Sequence, residues 1–400
     1  MIATHLALAV VHPTAGNIGG GGFFVYHHKD GSSGSLDFRE MAPQKAFKDM
    51  YLDENGDVIP DMSTLGGAAV GVPGSISAIY KIHSKFGSLP IEDLFEPAIN
   101  LAKNGFVVTQ KQSNSLTGKL EDFIKVNGEE SLYSKRYYEG DTIKNIKFAE
   151  TLSKISKFGP EIFYGGEIGE MIINSVNKAG GIMTLKDLEN YKSIWRDPVK
   201  FKYKSLDVIS MSLPSSGGIL IGQMLKVIED YDIKSFGHNS VKAVQLLVEA
   251  ERRAYADRSH FMGDPDYMNL PVYELMDKEY VVGRMKNFSW DEATSSSDVK
   301  HGNIILNESD ETTHYSIIDK HGNSVSVTTT LNNSYGSKVF VEEGGFFLNN
   351  EMDDFSSKPG HPNFYGLIGS EANSIQPGKR MLSSMTPSII LKNNKPSLIV

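Results

Sequence analysis

The stretch Glu308-Ser309-Asp310-Glu311-Thr312-Thr313-His314-Tyr315-Ser316-Ile317-Ile318-Asp319-Lys320-His321-Gly322-Asn323-Ser324-Val325-Ser326-Val327-Thr328-Thr329-Thr330 holds the sharpest change of pattern in the chain. Its first residues are acidic and polar. Residues 314–318 then read as a strand, 319–323 as an Asn/Gly-bearing turn, and 324–329 as a returning β-branched strand, which together predict a hairpin. Upstream, 291–311 is a mostly polar bridge of loop composition, opening Asp291-Glu292-Ala293-Thr294-Ser295-Ser296-Ser297.

Outward from the hairpin, residues 1–60 are glycine-rich with strand-like pieces at Phe23–Tyr26 and Ser35–Phe38. Residues 70–290 read mainly as helices. Leu220, Met224, Val227 and Ile228 share one helical face, and Val244, Leu247, Val248, Ala254 and Tyr255 share another within 241–257. A second strand pair is expected to include 345–348 and 388–391. Helices and strands in this order predict a layered α/β architecture and not a helical bundle.

Bulk properties narrow the function. The chain has 400 residues, 40% of them hydrophobic, enough for a large core. A formal net charge of -9 argues against nucleic acid as partner, because phosphate neutralisation needs clustered Lys and Arg. The absence of cysteine excludes disulfides, thiolate metal sites and a Cys nucleophile. No apolar run approaches the ~20 residues that span a bilayer. The opening Met1–Pro13 reads as part of a buried helix and not as a signal peptide, and Ser397–Val400 reads as a strand that stops without a polar tail. The chain is therefore expected to be truncated at both ends.

The chemistry left for an amide hydrolase of this composition is a threonine. No Gly-x-Ser-x-Gly elbow and no metal-binding His pair occurs, and Gly19–Gly22 lacks the Lys-Ser/Thr of a phosphate loop. Threonine is a weak nucleophile without an adjacent base. As the first residue of a chain it gains one, its own α-amine, whose pKa of ~8 allows proton acceptance near neutral pH. Such an end requires a cut, and a flexible acidic segment meeting a strand that begins Thr312-Thr313 is where the Thr312 hydroxyl could attack the Glu311 carbonyl. On pattern alone, a threonine opening a strand is more often an ordinary strand residue.

Glu311–Ser316 resembles the processing site of the gamma-glutamyltranspeptidases. Ala15–Phe23, Leu36–Pro43, Tyr255–Arg258, Leu348–Ser356 and Met381–Met385 resemble further segments of that family, in its order and across nearly the whole chain. The resemblance implies a four-layer αββα sandwich of the N-terminal-nucleophile hydrolase type, made from a self-cleaving precursor. Residues 1–311 would form the large-subunit part and 312–400 the small-subunit part, paired in one intertwined catalytic domain.

It also implies roles. Thr312 would be the nucleophile, cleavage would fall between Glu311 and Thr312, and Thr330 would hydrogen-bond the nucleophile. Arg39 would bind the α-carboxylate of the substrate's amino-acid head, with Ser383 and Ser384 as hydroxyl donors. Glu351 and Asp354 would receive the ammonium, with Asn332 helping, and Tyr365 would sit on a lid running from about 354 to 366. His314 is expected to pack or hydrogen-bond structurally. Substrates would be glutathione and related gamma-glutamyl compounds, with water, amino acids or dipeptides as acceptors; no metal or organic cofactor is implied. The family's export implies a periplasmic or secreted protein. The family's oxyanion-hole glycine pair would follow Val400, so the chain as it stands is expected to be weakened or inactive without it. Two rivals remain: a cephalosporin-type acylase on the same scaffold, and a non-catalytic remnant.

Overall fold

The computed structural model describes residues 1–300 and 313–400. Its strands are β1 (Gly21–His27), β2 (Ser33–Asp37), β3 (Phe106–Val107), β4 (Thr142–Ile143), β5 (Ile194–Arg196), β6 (Val199–Tyr203), β7 (Leu206–Ser210), β8 (Thr313–Ile318), β9 (Ser324–Thr330), β10 (Phe340–Val341), β11 (Phe346–Phe347), β12 (Ser388–Lys392) and β13 (Lys395–Ile399). Two sheets dominate. One runs β5-β2-β1-β9-β8 and the other β13-β12-β7-β6, with antiparallel pairing throughout.

Period-two alternation assigns each face. On β1, Phe23 and Val25 meet Ile209, Met211, Ile389 and Leu391 of the second sheet, forming the seam between sheets. Phe24 and Tyr26 point the other way, against Ala78 and Ile82 of the helix Ser75–Phe86 and against Val327. On the far side of the second sheet, Val199, Phe201 and Val208 pack on Ile219 and Leu220 of the helix Gly217–Ile228 and on Ala254 and Tyr255 of the helix Val241–Phe261. The order is helix, sheet, sheet, helix: the αββα sandwich. Burying each such side chain contributes ~1.5–3 kcal/mol, which is why the seam and the two outer layers fix the register.

The hairpin forms as its sequence predicts. Thr313 faces Thr329 and Ile318 faces Ser324. Asp319 closes the turn: its Oδ1 accepts from His321 N at 2.8 Å and Asn323 N at 3.0 Å, and Gly322 takes a φ of 87°. The Val/Ser alternation of β9 is also explained. Val325 and Val327 enter the apolar layer, whereas Ser326 faces the second sheet, donating to Val400 O at 2.7 Å and accepting from Ser388 N at 3.1 Å.

Two expectations are corrected. Phe346–Phe347 and Ser388–Lys392 do not pair with each other; β11 pairs with β10, and β12 lies between β7 and β13. Phe346 and Phe347 are buried among helices, so their apolar run served helix packing and not the large sheet. The long helix also turns differently. Val244, Leu247 and Val248 are exposed, and the buried face carries Ala243, Leu246, Ala250, Arg253 and Asp257. Polar residues can occupy that face because they are paired: Arg253 meets Glu249 at 2.5 Å and Asp257 meets Arg284 at 3.2 Å.

Candidate active site

The site gathers where the N-terminal end of β1, the C-terminal end of β9 and the segments 349–354 and 381–384 converge. The glycine run before β1 permits the approach. A Cβ on Gly20 would lie 2.2 Å from Thr330 O, and one on Gly22 would lie 2.2 Å from Thr328 O. Asn17 ties the same corner. Its Nδ2 donates to Thr330 O at 2.8 Å and Thr329 Oγ1 at 3.2 Å, while its Oδ1 accepts from Gly20 N at 3.0 Å and Ser75 Oγ at 2.8 Å.

Thr330 is buried at the end of β9, its Oγ1 accepting from Asn332 N at 2.7 Å. Asn332 has a φ of 75°, a conformation asparagine tolerates better than most residues, and donates from Nδ2 to Asn350 O at 3.1 Å. Glu311 and Thr312 lie outside the described residues, which resume at Thr313. His314 bonds its strand neighbours, Thr328 Oγ1 at 2.8 Å and Ser316 Oγ at 3.0 Å, a structural role as expected from the sequence.

Arg39 follows β2 and is 1% exposed. A surface pair with Asp37 is ruled out, because Asp37 instead engages Arg196 at 2.8 Å and Arg380 at 3.4 Å. Arg39 meets Glu351 at 2.5 Å, Asp354 through Nη2, and Glu40 at 3.7 Å; its Nε donates to Met381 O at 3.3 Å. One guanidinium thus faces three acids, two of them fully buried. Burial pushes the Glu351 carboxyl up to about 8; Arg39 pulls it down, Asp354 adds to the rise and the neighbouring Thr330 opposes it. Burial likewise drives Glu40 well above the usual carboxylate range, with Glu351 adding and Arg39 opposing. Asp353 rises to about 6, burial outweighing its bond from Ser63 Oγ at 2.6 Å. The acids and Arg39 expected around an amino-acid head are therefore together, but here they neutralise one another.

The Ser383–Ser384 turn abuts this cluster through Met381. Ser383 O accepts from Ser216 N and Ser216 Oγ, both at 2.8 Å, and Ser383 N donates to Pro214 O at 2.8 Å. Ser384 Oγ is buried and has no hydrogen-bond partner among the described residues. Tyr365 reaches in from its loop, its hydroxyl donating to Asn332 O at 2.8 Å, with Asn333 Oδ1 at 2.5 Å. Phe364 N donates to Asp353 Oδ2 at 3.1 Å, so the loop is tied to the acidic segment.

Sequence reasoning assigned no role to Glu40, Asn17, Asp353 or Arg258. All four lie inside segments that carry the family resemblance; what identifies them in the structure is that each is a buried polar group. Among the described residues no group of three or more His, Asp or Glu is placed to hold a metal ion, and no helix is long and apolar enough to cross a membrane.

The αββα sandwich is the fold of the N-terminal-nucleophile hydrolases, with the hairpin β8-β9 at one edge of its first sheet. The chain belongs to the gamma-glutamyltranspeptidase family, whose family model matches residues 1–400. It is 42% identical over 410 residues to the glutathione hydrolase proenzyme of Escherichia coli (strain K12), covering 100% of this chain and 69% of that protein. It is 34% identical over 403 residues to the Acylase ACY 1 proenzyme of Pseudomonas sp. (strain SE83), covering 98% of this chain and 70% of that protein. The solved structure of Helicobacter pylori gamma-glutamyltranspeptidase aligns with a TM-score of 0.73 at 41% identity, over 77% of this chain and 90% of that one. Cephalosporin acylase from Bacillus halodurans shares the fold, with a TM-score of 0.82 at 24% identity, over 100% of this chain and 71% of that one.

Proposed function

We propose that this chain is a self-cleaving gamma-glutamyltransferase and glutathione hydrolase in which Thr312 is the nucleophile. In maturation, the Thr312 hydroxyl attacks the Glu311 carbonyl carbon, the acyl group passes from N to O, and water hydrolyses the ester. This leaves a carboxylate on Glu311 and a free α-amine on Thr312, and divides the chain into parts 1–311 and 312–400. In turnover, that amine takes the proton of Thr312 Oγ as the oxygen attacks the gamma-carbonyl of glutathione or a related amide. The C–N bond breaks, the leaving amine takes the proton, and a gamma-glutamyl ester remains. Water or the amine of an amino acid or dipeptide then attacks the ester and frees Thr312.

The observation that carries this reading is the convergence of Arg39, Glu351, Asp354 and the Ser383–Ser384 turn at the end of β9. Thr312 is one peptide bond from Thr313, which pairs with Thr329, the neighbour of Thr330. A zwitterionic amino-acid head needs both signs of charge, with donors and acceptors, in one place. Arg39 serves its α-carboxylate; Glu351 and Asp354, with Asn332, serve its ammonium; Tyr365 closes the loop over the site and limits water. Export to the periplasm or medium is the setting that the family implies.

The test is the intact mass of the purified, denatured protein and of Thr312→Ala, followed by hydrolysis of gamma-glutamyl-p-nitroanilide. Two fragments split between Glu311 and Thr312 in wild type, one chain in the variant, and anilide hydrolysis only by the cleaved form are expected. An uncut wild type, or equal hydrolysis by both proteins, refutes the assignment.

A further inference from the structure

Arg258 lies on the inner face of the helix Val241–Phe261 and is 4% exposed. Among the described residues its side chain makes one hydrogen bond, from Nε to Ser216 Oγ at 3.0 Å, and has no carboxylate within ion-pair distance. An unneutralised guanidinium this deeply buried carries a large desolvation cost and calls for a compensating role. Burial pushes it below the usual arginine range; Tyr255 and Asp354 pull it back up, and Arg39 adds to the fall.

The geometry links Arg258 to that head. Ser216 stands between Arg258 Nε and Ser383 O, with its Oγ 3.0 Å from the first and 2.8 Å from the second. Ser216 N also donates to Ser383 O at 2.8 Å, so the Ser383–Ser384 turn hangs on this serine. Arg39, by contrast, already has both guanidinium edges occupied by Glu351, Asp354 and Met381 O. Two cations thus differ in kind: one is saturated by acids, the other holds its charge in reserve.

We infer that Arg258 is a positioning and specificity residue. Through Ser216 it fixes the Ser383–Ser384 turn, and its unpaired charge favours the α-carboxylate of the ligand at that turn. This rests on the amino-acid-head reading above. It predicts that Arg258 contributes to discrimination between a ligand with an α-carboxylate and the same ligand without one, which a purely structural residue would not do.

The experiment compares binding of glutamate and of 4-aminobutyrate, which lacks only the α-carboxylate, by calorimetry in wild type, Arg258→Gln, Arg258→Lys and Ser216→Ala. The preference for glutamate is expected to fall about tenfold in Arg258→Gln, the scale of one charge-assisted contact. Arg258→Lys should recover most of it, and Ser216→Ala should lose about threefold. With gamma-glutamyl-p-nitroanilide, Arg258→Gln should raise KM and leave kcat nearly unchanged. A folded Arg258→Gln with the wild-type preference overturns the inference. Where Arg258→Gln does not fold, an unchanged preference in Ser216→Ala overturns it instead. A wild-type protein indifferent to the α-carboxylate overturns the amino-acid-head reading, and this inference with it.

Discussion

Arg39→Met, made in a Thr312→Ala background so that unfolding concerns one chain, isolates the cost of leaving the acidic cluster without its cation. Methionine keeps much of the side chain's apolar length, so the change is mainly electrostatic. The structure sets the size of the effect. Arg39 is 1% exposed, Glu351 is fully buried 2.5 Å away, and Glu40 is fully buried at 3.7 Å. Removing Arg39 leaves the buried acceptors it faces without their donor, which costs ~1–3 kcal/mol and more where the acceptor is charged. The sign of the pH dependence follows from Glu351. With Arg39 present its carboxyl already titrates at about 8, above the reference 4.5, chiefly through burial, and Arg39 is the main influence lowering it. Without Arg39 it rises further. A raised acid holds its proton in the folded state and releases it on unfolding, so its destabilising effect appears as pH rises. Below about pH 8 Glu351 is protonated with or without Arg39; above it, only the wild type gains from ionising. Urea unfolding is therefore expected to show a penalty of ~3 kcal/mol at pH 7 and ~1 kcal/mol more at pH 9, the increment of one pKa unit. The increment should vanish in Arg39→Met/Glu351→Gln. A penalty that is equal or smaller at pH 9 refutes the charge argument and leaves lost packing as the cause.

Glu351→Gln alone removes an acid whose folded pKa lies above its unfolded value. Relative to wild type it should gain stability as pH rises between about 5 and 8, by at most ~1.4 kcal/mol per pH unit, in pH-dependent urea melts. Thr330→Ala removes the acceptor of the Asn332 N–H bond at a strained backbone position; a loss of ~1–3 kcal/mol in stability is expected. Self-cleavage, followed by mass, should slow about tenfold or more, with Thr330→Ser restoring most of the rate. Tyr365→Phe loses both polar contacts of the loop, to Asn332 O and Asn333 Oδ1. The ratio of hydrolysis to transfer, measured with a dipeptide acceptor, should rise several-fold while Thr312 acylation changes little, since water gains access to the ester.

What was legible in the sequence was what local pattern determines. The 313–330 hairpin declared itself through a polar turn between β-branched runs, and the structure adds only the Asp319 bonds that close it. The apolar run Phe23–Tyr26 marked a strand, but its faces were not legible, since a strand buried between a sheet and a helix layer is apolar on both. The long helix misled because its apolar stripe of Val244, Leu247 and Val248 lies in solvent. Its inner face is held by pairs such as Arg253 with Glu249, and a partner cannot be read from a helix's own periodicity. The same limit applied at the site. Arg39, Glu351, Asp354 and Ser383 could be assembled by resemblance, but the ion pairs that tie Arg39 to the acids join residues more than 300 positions apart and leave no local pattern. Arg258 escaped notice because an arginine on a helix is ordinary until its burial, and the lack of an acid partner among the described residues, are known.

The charges of this cluster bear on which acyl group the site takes. Arg39 is set among Glu351, Asp354 and Glu40 in a dry corner, where burial holds Glu351 and Glu40 towards their protonated forms. A ligand that carries only an apolar or singly anionic acyl group would enter that corner without a partner for the acids. An amino-acid head would bring an ammonium for the acids and a carboxylate for Arg39, an exchange of partners that adds no net charge to the site. The ligand's two charges replace the bond between Arg39 and its acids with two bonds of the same kind, and the pocket discriminates by requiring both at once. Arg39, Glu351 and Asp354 together offer both signs of charge, which suits a zwitterionic amino-acid head better than an apolar acyl group.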